Sequence, residues 1–198
     1  SEINALCQAV SSSYWGINTA LSPIAGTYPV PGLLATTTDL NGVSRRSYFD
    51  ALGRPRAVVL PPDTESAPTT LWDYGLTGAA PNFVQQSTRE NTGGGTLEQV
   101  TYTDGFGRTV QTKSEAETAG TWSTQDTWYN RRGFAEFVTL PYLSATSGYS
   151  GFNAGQPKTQ TLYDPLGRVS SVINPDNTSQ SIGYAPWTVT TTDEKYFS

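Results

Sequence analysis

Carboxylates are the most numerous side chains in this sequence that could do acid–base chemistry. The chain has 17 acidic residues, and a glycosidase needs one pair of carboxyl groups as its acid and base. The candidates in or beside strand-like sequence are Glu98, Asp104, Glu115, Glu117, Asp126 and Glu136. Because 17 acidic residues make some close pair expected by chance, a carboxylate-dependent glycosidase is kept only as a third functional hypothesis.

Other catalytic and cofactor chemistries are excluded by composition. The sequence contains no histidine, so it has no Ser-His or Cys-His nucleophile pair and no imidazole metal ligand. The single cysteine, Cys7, cannot build a Cys-rich zinc or iron–sulfur site. The glycine-rich residues 93–96 and 105–107 have neither the lysine nor the following helix of a phosphate-binding loop. We therefore expect no enzyme activity, no cofactor and no metal.

Exposed aromatic side chains could form a carbohydrate-binding surface. Aromatic residues make up 12% of the chain, and the candidates near a Gly- and Ser-rich loop are Trp122, Trp128, Tyr142 and Tyr149. The alternative is that these rings pack the core, since a sheet with few Leu and Ile residues must pack with its aromatics. A glycan-binding β-module is the second functional hypothesis.

Charge and hydropathy limit the partners. The 12 basic and 17 acidic residues give a net charge of −5, which argues against nucleic acid and acidic membrane surfaces because both are bound through cationic side chains. No apolar run is long enough to span a bilayer. The length of 198 residues fits one domain or one array of repeats.

Short segments with period-two alternation predict an all-β fold. They are rich in Thr, Val, Tyr and Trp and are separated by Gly, Asn, Asp and Pro, which is typical of strands and turns. The predicted strands are residues 43–49, 55–60, 69–74, 83–88, 96–102, 108–115, 122–129, 134–140, 158–163, 169–173, 179–184 and 188–192. Residues 22–32 and 141–157 are predicted loops, and only residues 3–10 briefly show helical spacing. Half-apolar strands favour an antiparallel sheet.

One turn motif recurs along the chain. An aromatic residue lies one or two positions before an Asp-x-x-Gly turn, and an arginine follows the glycine. The four copies are Tyr48, Asp50, Gly53 and Arg54; Tyr102, Asp104, Gly107 and Arg108; a degenerate Tyr129, Asn130 and Gly133; and Tyr163, Asp164, Gly167 and Arg168. Asp or Asn at the first position and Gly at the fourth suit a type I turn. Each copy is therefore predicted to reverse a hairpin, and each arginine to pair with the turn Asp or stack on a tyrosine.

This repeat resembles the YD repeat of Rhs proteins, teneurins and the shell-forming subunits of ABC-type toxin complexes. Residues 163–194 are also similar to the sequence around such repeats in SpvB-like proteins. The resemblance implies a hairpin array that spirals into a hollow shell around a toxic C-terminal polypeptide. About 12 strands at ~4.8 Å spacing would close to a diameter of only ~20 Å, too small for a folded domain with a radius of gyration near ~13 Å. We therefore expect a wall segment of a secreted or cell-surface bacterial protein.

The expected partners are the remainder of a larger Rhs-type chain and its enclosed polypeptide. Residues 1–35 are predicted to be a loop-rich segment that caps one sheet edge, and residues 36–198 a YD-repeat sheet. An unprotected edge could also pair with a second copy, which light scattering over a concentration series would reveal. A valine in place of Gly167 is expected to destabilise the fold by about 1 kcal/mol or more, and one in place of Gly151 by much less.

Overall fold

The computed structural model describes residues 2–3, 9–16, 24–76, 78–91 and 94–193. These residues fall into two compact units. The first consists of Ser1–Gly75 with Val84–Gln99, and the second of Leu76–Phe83 with Val100–Ser198.

The described residues form sixteen strands, so the prediction of an all-β hairpin array is confirmed. The strands are β1 (Glu2–Ile3), β2 (Ala9–Tyr14), β3 (Leu34–Thr38), β4 (Ser44–Phe49), β5 (Pro55–Val59), β6 (Thr70–Gly75), β7 (Asn82–Arg89), β8 (Thr96–Thr103), β9 (Thr109–Glu115), β10 (Trp122–Tyr129), β11 (Ala135–Thr139), β12 (Tyr142–Ser144), β13 (Lys158–Tyr163), β14 (Val169–Ile173), β15 (Ser179–Ala185) and β16 (Thr188–Thr192).

Strand order follows chain order within each unit. In the first unit β1 to β6 lie side by side, and in the second the order is β9-β10-β11-β13-β14-β15-β16, with β12 paired to β10. The pairings are antiparallel, as in β4 with β5 and β13 with β14. The register shifts by one residue at Tyr48/Phe49 and at Leu162/Tyr163, next to repeat turns. A type I turn followed by a left-handed residue produces such a bulge.

Each unit has a small core to which the repeat tyrosines contribute. In the first unit Tyr48 is buried with Ile24, Ala57 and Val59, and Trp15 packs against this cluster. In the second unit Val100, Tyr102 and Trp122 are buried together, with Phe83 and Val110 partly buried beside them. Strand β10 buries Trp122, Thr124 and Asp126 on one face, as period-two alternation requires.

Three stretches differ from the sequence prediction. Strand β3 was not predicted, because its residues Leu34–Thr38 are mostly threonine, show no apolar alternation and are all half-buried. Strand β12 lies inside the predicted loop 141–157, since its pairing with β10 is distant in sequence. Residues 3–10 showed helical spacing, but Ile3 belongs to β1, and Ala9 and Val10 belong to β2. Residues 4–8 lie outside the described residues.

The described part of residues 1–35 extends the sheet of the first unit. Strand β2 pairs antiparallel with β3, and β1 pairs with β2. Tyr28 lies in the segment that connects β2 to β3. Its backbone N–H donates to the carbonyl oxygen of Phe49, the last residue of β4, at 2.7 Å. The role of this segment as an edge cap, and edge-to-edge association of the chain, stay predictions.

Candidate functional site

The repeated turns share one hydrogen-bond pattern. In the first copy Gly53 N donates to Asp50 O at 3.0 Å, and Asp50 N donates to Arg54 O at 2.9 Å. The Asp50 carboxylate oxygen Oδ1 accepts from the backbone N–H groups of Leu52 and Arg54, both at 2.9 Å. The same two backbone bonds occur in the turns that begin at Asp39, Asp104, Asn130, Asp164 and Asn174.

The turn that begins at Asn174 has the same backbone pattern, although it lacks the aromatic residue and the arginine of the repeat motif. Its fourth residue is Asn177 instead of glycine, with a φ of 68°. Asparagine tolerates this left-handed conformation better than most residues.

Each repeat arginine bonds to its own turn carboxylate through the side chain. Arg54 Nε donates to Asp50 Oδ2 at 2.6 Å, and Arg168 Nε donates to Asp164 Oδ2 at 2.7 Å. Arg108 makes two such bonds to Asp104 Oδ2, at 2.8 and 2.6 Å. These pairs close the turn and fix the direction of the guanidinium group.

The same guanidinium stacks on a tyrosine near the end of the next strand in the sheet. The distances from the guanidinium carbon to the ring centroid are 4.1 Å for Arg54 over Tyr74, 4.4 Å for Arg108 over Tyr129 and 4.1 Å for Arg168 over Tyr184. Each tyrosine hydroxyl then donates to the carbonyl oxygen of the residue after the arginine: Pro55 at 2.7 Å, Thr109 at 2.9 Å and Val169 at 2.9 Å. We call this Asp–Arg–Tyr arrangement the clasp.

The clasp joins consecutive hairpins, because its tyrosine belongs to the strand beyond the turn. Tyr129 serves the clasp of Arg108 and itself precedes the next turn at Asn130. Sequence reasoning missed Tyr74 and Tyr184 as clasp members, since their arginines are distant in sequence and no turn motif follows either tyrosine. A cation over an aromatic face contributes about 0.5–1 kcal/mol at an exposed site, so the clasp stabilises the array by repetition.

The third turn keeps the clasp without its charge. Phe134 occupies the arginine position and stacks on Tyr163 with 4.8 Å between ring centroids. The Tyr163 hydroxyl donates to Ala135 O at 2.8 Å, as in the charged copies. Asn130 Oδ1 accepts the two turn N–H groups that a carboxylate accepts elsewhere.

The turn carboxyls of Asp50, Asp104 and Asp164 have pKa values below their ordinary value of 3.8. Burial is the largest single effect and acts in the opposite direction. Hydrogen bonds from the backbone and guanidinium of the following arginine, together with that arginine's charge, outweigh burial. The carboxyls are therefore ionised at neutral pH, as the clasp requires.

The tyrosines of the first two copies have a different role. Tyr48 and Tyr102 are buried in the two cores, with 5% and 8% of their surface exposed. Burial raises the pKa of each phenol. The Tyr48 hydroxyl donates to Glu65, and that of Tyr102 donates to Ser147 O at 2.8 Å.

A buried polar cluster lies where strands β9 and β10 meet residues 145–153. We call residues 145–153 the covering loop. The two charged members of the cluster, Lys113 and Asp126, are both fully buried. Lys113 Nζ donates to Thr146 O at 3.0 Å, and burial lowers its pKa, an effect partly offset by the charge of Asp126. Gln111 Nε2 donates to Asp126 Oδ1 at 2.7 Å, and Gln111 Oε1 accepts from Ser150 N at 3.1 Å.

Asp126 is the centre of this cluster. Its Oδ2 atom accepts from the Tyr142 hydroxyl and from Asn153 N, both at 2.9 Å. Burial, with the hydrogen bond to Asp126 and its charge, raises the pKa of Tyr142 to about 12. Every oxygen of the Asp126 carboxylate is thus occupied by a protein donor, which suits a structural role better than proton transfer.

The four candidate glycan-stacking rings lie in different surroundings. Trp122 is buried with Val100 and Tyr102. Trp128 is 51% exposed and packs against Phe152, with 5.8 Å between ring centroids. Tyr149 is partly exposed and packs on Tyr102 at 5.4 Å, while Tyr142 bonds to Asp126. Of the two tryptophans, only Trp128 presents a large exposed ring.

The described residues also lack a metal centre and a membrane-spanning helix. They contain no group of three or more Cys, Asp or Glu side chains placed to hold a metal ion. No helix suited to crossing a bilayer occurs in the described part of the chain.

Comparison with known proteins identifies solved structures that have a similar fold. No family model matches the sequence, and no curated protein matches it. Among solved structures, the crystal structure of TcdB2-TccC3 matches 96% of this chain and 12% of its own, with a TM-score of 0.73 and 18% identity. The crystal structure of TcdB2-TccC3-TEV matches 95% of this chain and 14% of its own, with a TM-score of 0.72 and 15% identity.

A third similar structure is the Tc holotoxin pore of Photorhabdus luminescens. It matches 81% of this chain and 13% of its own, with a TM-score of 0.69 and 15% identity. This chain thus spans about one eighth of the chains that it matches. The resemblance to ABC-type toxin complex chains predicted from the repeats is confirmed: the chain has the all-β fold of a segment of Tc toxin complex chains.

Proposed function

We propose that this chain is a non-catalytic wall segment of a larger, secreted bacterial toxin polypeptide of the Rhs type. Its role is to build part of a β-shell that encloses a C-terminal polypeptide. The observation that supports this most strongly is the match of 96% of the chain to 12% of TcdB2-TccC3. A segment of this size is a small part of the structure that it resembles.

The clasp gives a physical reason why such a segment suits a wall. Each clasp joins one hairpin to the next strand through a side-chain stack and a hydroxyl-to-carbonyl bond. The array can therefore be extended by adding hairpins, as in other repeat architectures whose units contact only their neighbours. Even if sixteen strands all lay side by side at ~4.8 Å spacing, a sheet ~75 Å wide would close to a diameter of only ~25 Å. More hairpins than this chain has are needed to enclose a folded domain.

Protease protection of the enclosed polypeptide tests the proposal. The complete polypeptide is digested as wild type and as Gly167→Val, which disrupts one hairpin, with Gly105→Val as the matched control. We expect the C-terminal polypeptide to be resistant in the wild type and the control and to be cleaved several times faster in Gly167→Val. If the wild-type C-terminal polypeptide is digested as rapidly as the same polypeptide expressed alone, the proposal fails.

A further inference from the structure

An apolar groove lies on the sheet of the first unit. Its volume is about 470 Å³, within the range of about 300–1,000 Å³ that is typical of small-molecule sites. The apolar side chains that line it include Leu34, Phe49, Val58, Trp72 and Tyr74, which belong to the neighbouring strands β3, β4, β5 and β6. All of them lie within one compact unit. The shape of the groove therefore follows from the strand pairing of that unit.

The two aromatic walls on β6 are held in position by hydrogen bonds. Trp72 Nε1 donates to Gln86 Oε1 at 3.2 Å. The Tyr74 hydroxyl donates to Pro55 O at 2.7 Å, and its ring packs against the Arg54 guanidinium in the first clasp. Rings that are already fixed lose little conformational freedom when a ligand packs on them, so less of the interaction energy is spent on ordering.

Arg45 is the one charged residue among the described residues that line the groove. It is exposed, and its guanidinium forms no hydrogen bond or ion pair with the part of the chain that the structure describes. The clasp arginines differ, since each is paired with its own turn carboxylate. Ser47 lies two residues further along β4, on the same face of the strand, and also lines the groove. The groove thus combines apolar walls with a free guanidinium and a nearby hydroxyl group.

The surrounding charges direct an anion into this groove. Arg45 also lines a second cleft of about 460 Å³, but the Asp39 side chain lines that cleft too and would repel an anion there. Among the described residues, no acidic side chain lines the groove itself. A molecule whose anionic group pairs with Arg45 would therefore place its apolar part in the groove.

We propose that this groove binds an aromatic monocarboxylate, with the carboxylate paired to Arg45 and the ring system between Phe49 and Trp72. A guanidinium group binds a carboxylate through paired, charge-assisted hydrogen bonds. Aromatic rings pack favourably on one another in offset or edge-to-face arrangements. This inference goes beyond the proposed wall function and does not depend on it.

The lining of the groove favours an aromatic acid over a fatty acid. A flexible alkyl chain loses rotational freedom when it is bound, whereas a fused ring system is rigid before it binds. Three of the apolar walls are aromatic, from Phe49, Trp72 and Tyr74, and ring–ring contacts add to the energy of burial. One free arginine matches one carboxylate.

An NMR titration of the complete chain with 1-naphthaleneacetate tests the site, with the indole N–H signal of Trp72 as the local readout. We expect this signal to shift with a Kd of about 1 mM or lower. Arg45→Gln is expected to bind at least about tenfold more weakly, because the charge-assisted hydrogen bonds are lost. The matched control is Arg131→Gln, which removes an exposed arginine that does not line the groove. We expect it to change the affinity less than about twofold, since exposed charges outside the site are screened by salt.

Two other ligands separate charge from ring. The primary amide of naphthaleneacetic acid keeps the rings and removes the charge, and it is expected to bind at least about tenfold more weakly to the wild type and equally to wild type and Arg45→Gln. Dodecanoate has the same charge and the same number of carbon atoms without a ring, and it is expected to bind more weakly than the aromatic acid. The proposal is overturned by an unshifted Trp72 signal, by equal binding of the amide, by equal or tighter binding of dodecanoate, or by equal losses in Arg45→Gln and Arg131→Gln.

Discussion

Replacing Asp126 with alanine is expected to lower the free energy of unfolding by about 3–5 kcal/mol, the cost of removing one partner from a buried charged network. The substitution leaves Gln111 Nε2, the Tyr142 hydroxyl and Asn153 N without the carboxylate that they bond to. It also leaves Lys113 buried without the nearby negative charge that partly offsets its desolvation. Chemical denaturation monitored by tryptophan fluorescence gives the loss directly.

The control for this variant is Asp73→Ala. Asp73 pairs with Arg56 at 2.5 Å, but its side chain is 58% exposed, and exposed pairs contribute about 0–1 kcal/mol. Hydrogen exchange supplies a second readout, because Asp126→Ala should remove protection at Asn153 N. A loss below about 1 kcal/mol with protection at Asn153 intact would show that the cluster does not hold the covering loop.

Replacing Gly167 with valine is expected to cost about 2–4 kcal/mol, which narrows the expectation of about 1 kcal/mol or more that the sequence alone supports. Gly167 has a φ of 85°, and an added Cβ would lie 2.8 Å from Phe134 Cζ. A β-branched residue in the left-handed region and overpacking against a ring each cost about 1–3 kcal/mol. Thermal melting followed by circular dichroism measures the effect.

Gly105, not Gly151, is the proper control. Gly151 also has a positive φ, of 72°, so valine there would be strained although an added Cβ would contact nothing within 4 Å; that its cost is smaller than at Gly167 stays a prediction. Gly105 lies in the same kind of turn without a positive φ, and a Cβ there would contact nothing within 4 Å. We expect Gly105→Val to melt within a few degrees of the wild type, and equal melting of both variants would contradict the turn assignment.

Local chemistry explains why the turns and most strands could be predicted. The Asp50 carboxylate accepts hydrogen bonds from backbone N–H groups two and four residues further along the chain. A turn of this kind therefore depends only on a few adjacent residues. The sequence shows such a turn motif directly. It also shows the period-two alternation that buries Trp122, Thr124 and Asp126 on one face of β10.

Long-range contacts explain what could not be predicted. The covering loop looks structureless in sequence because its order comes from Gln111 and Asp126, on strands distant along the chain. The clasp tyrosines Tyr74 and Tyr184 are likewise defined by arginines on the preceding hairpin. Strand β3 forms because β2 and β4 pair on either side of it, not because its own threonines alternate with apolar residues.

An electron cryo-microscopy structure of the complete polypeptide that contains this chain tests the wall proposal most directly. We predict that the hairpins continue on both sides of residues 34–192 into further hairpins of the same kind, and that together they surround a cavity holding the C-terminal polypeptide. Residues 34–192 forming a separate β-domain outside any cavity would contradict it.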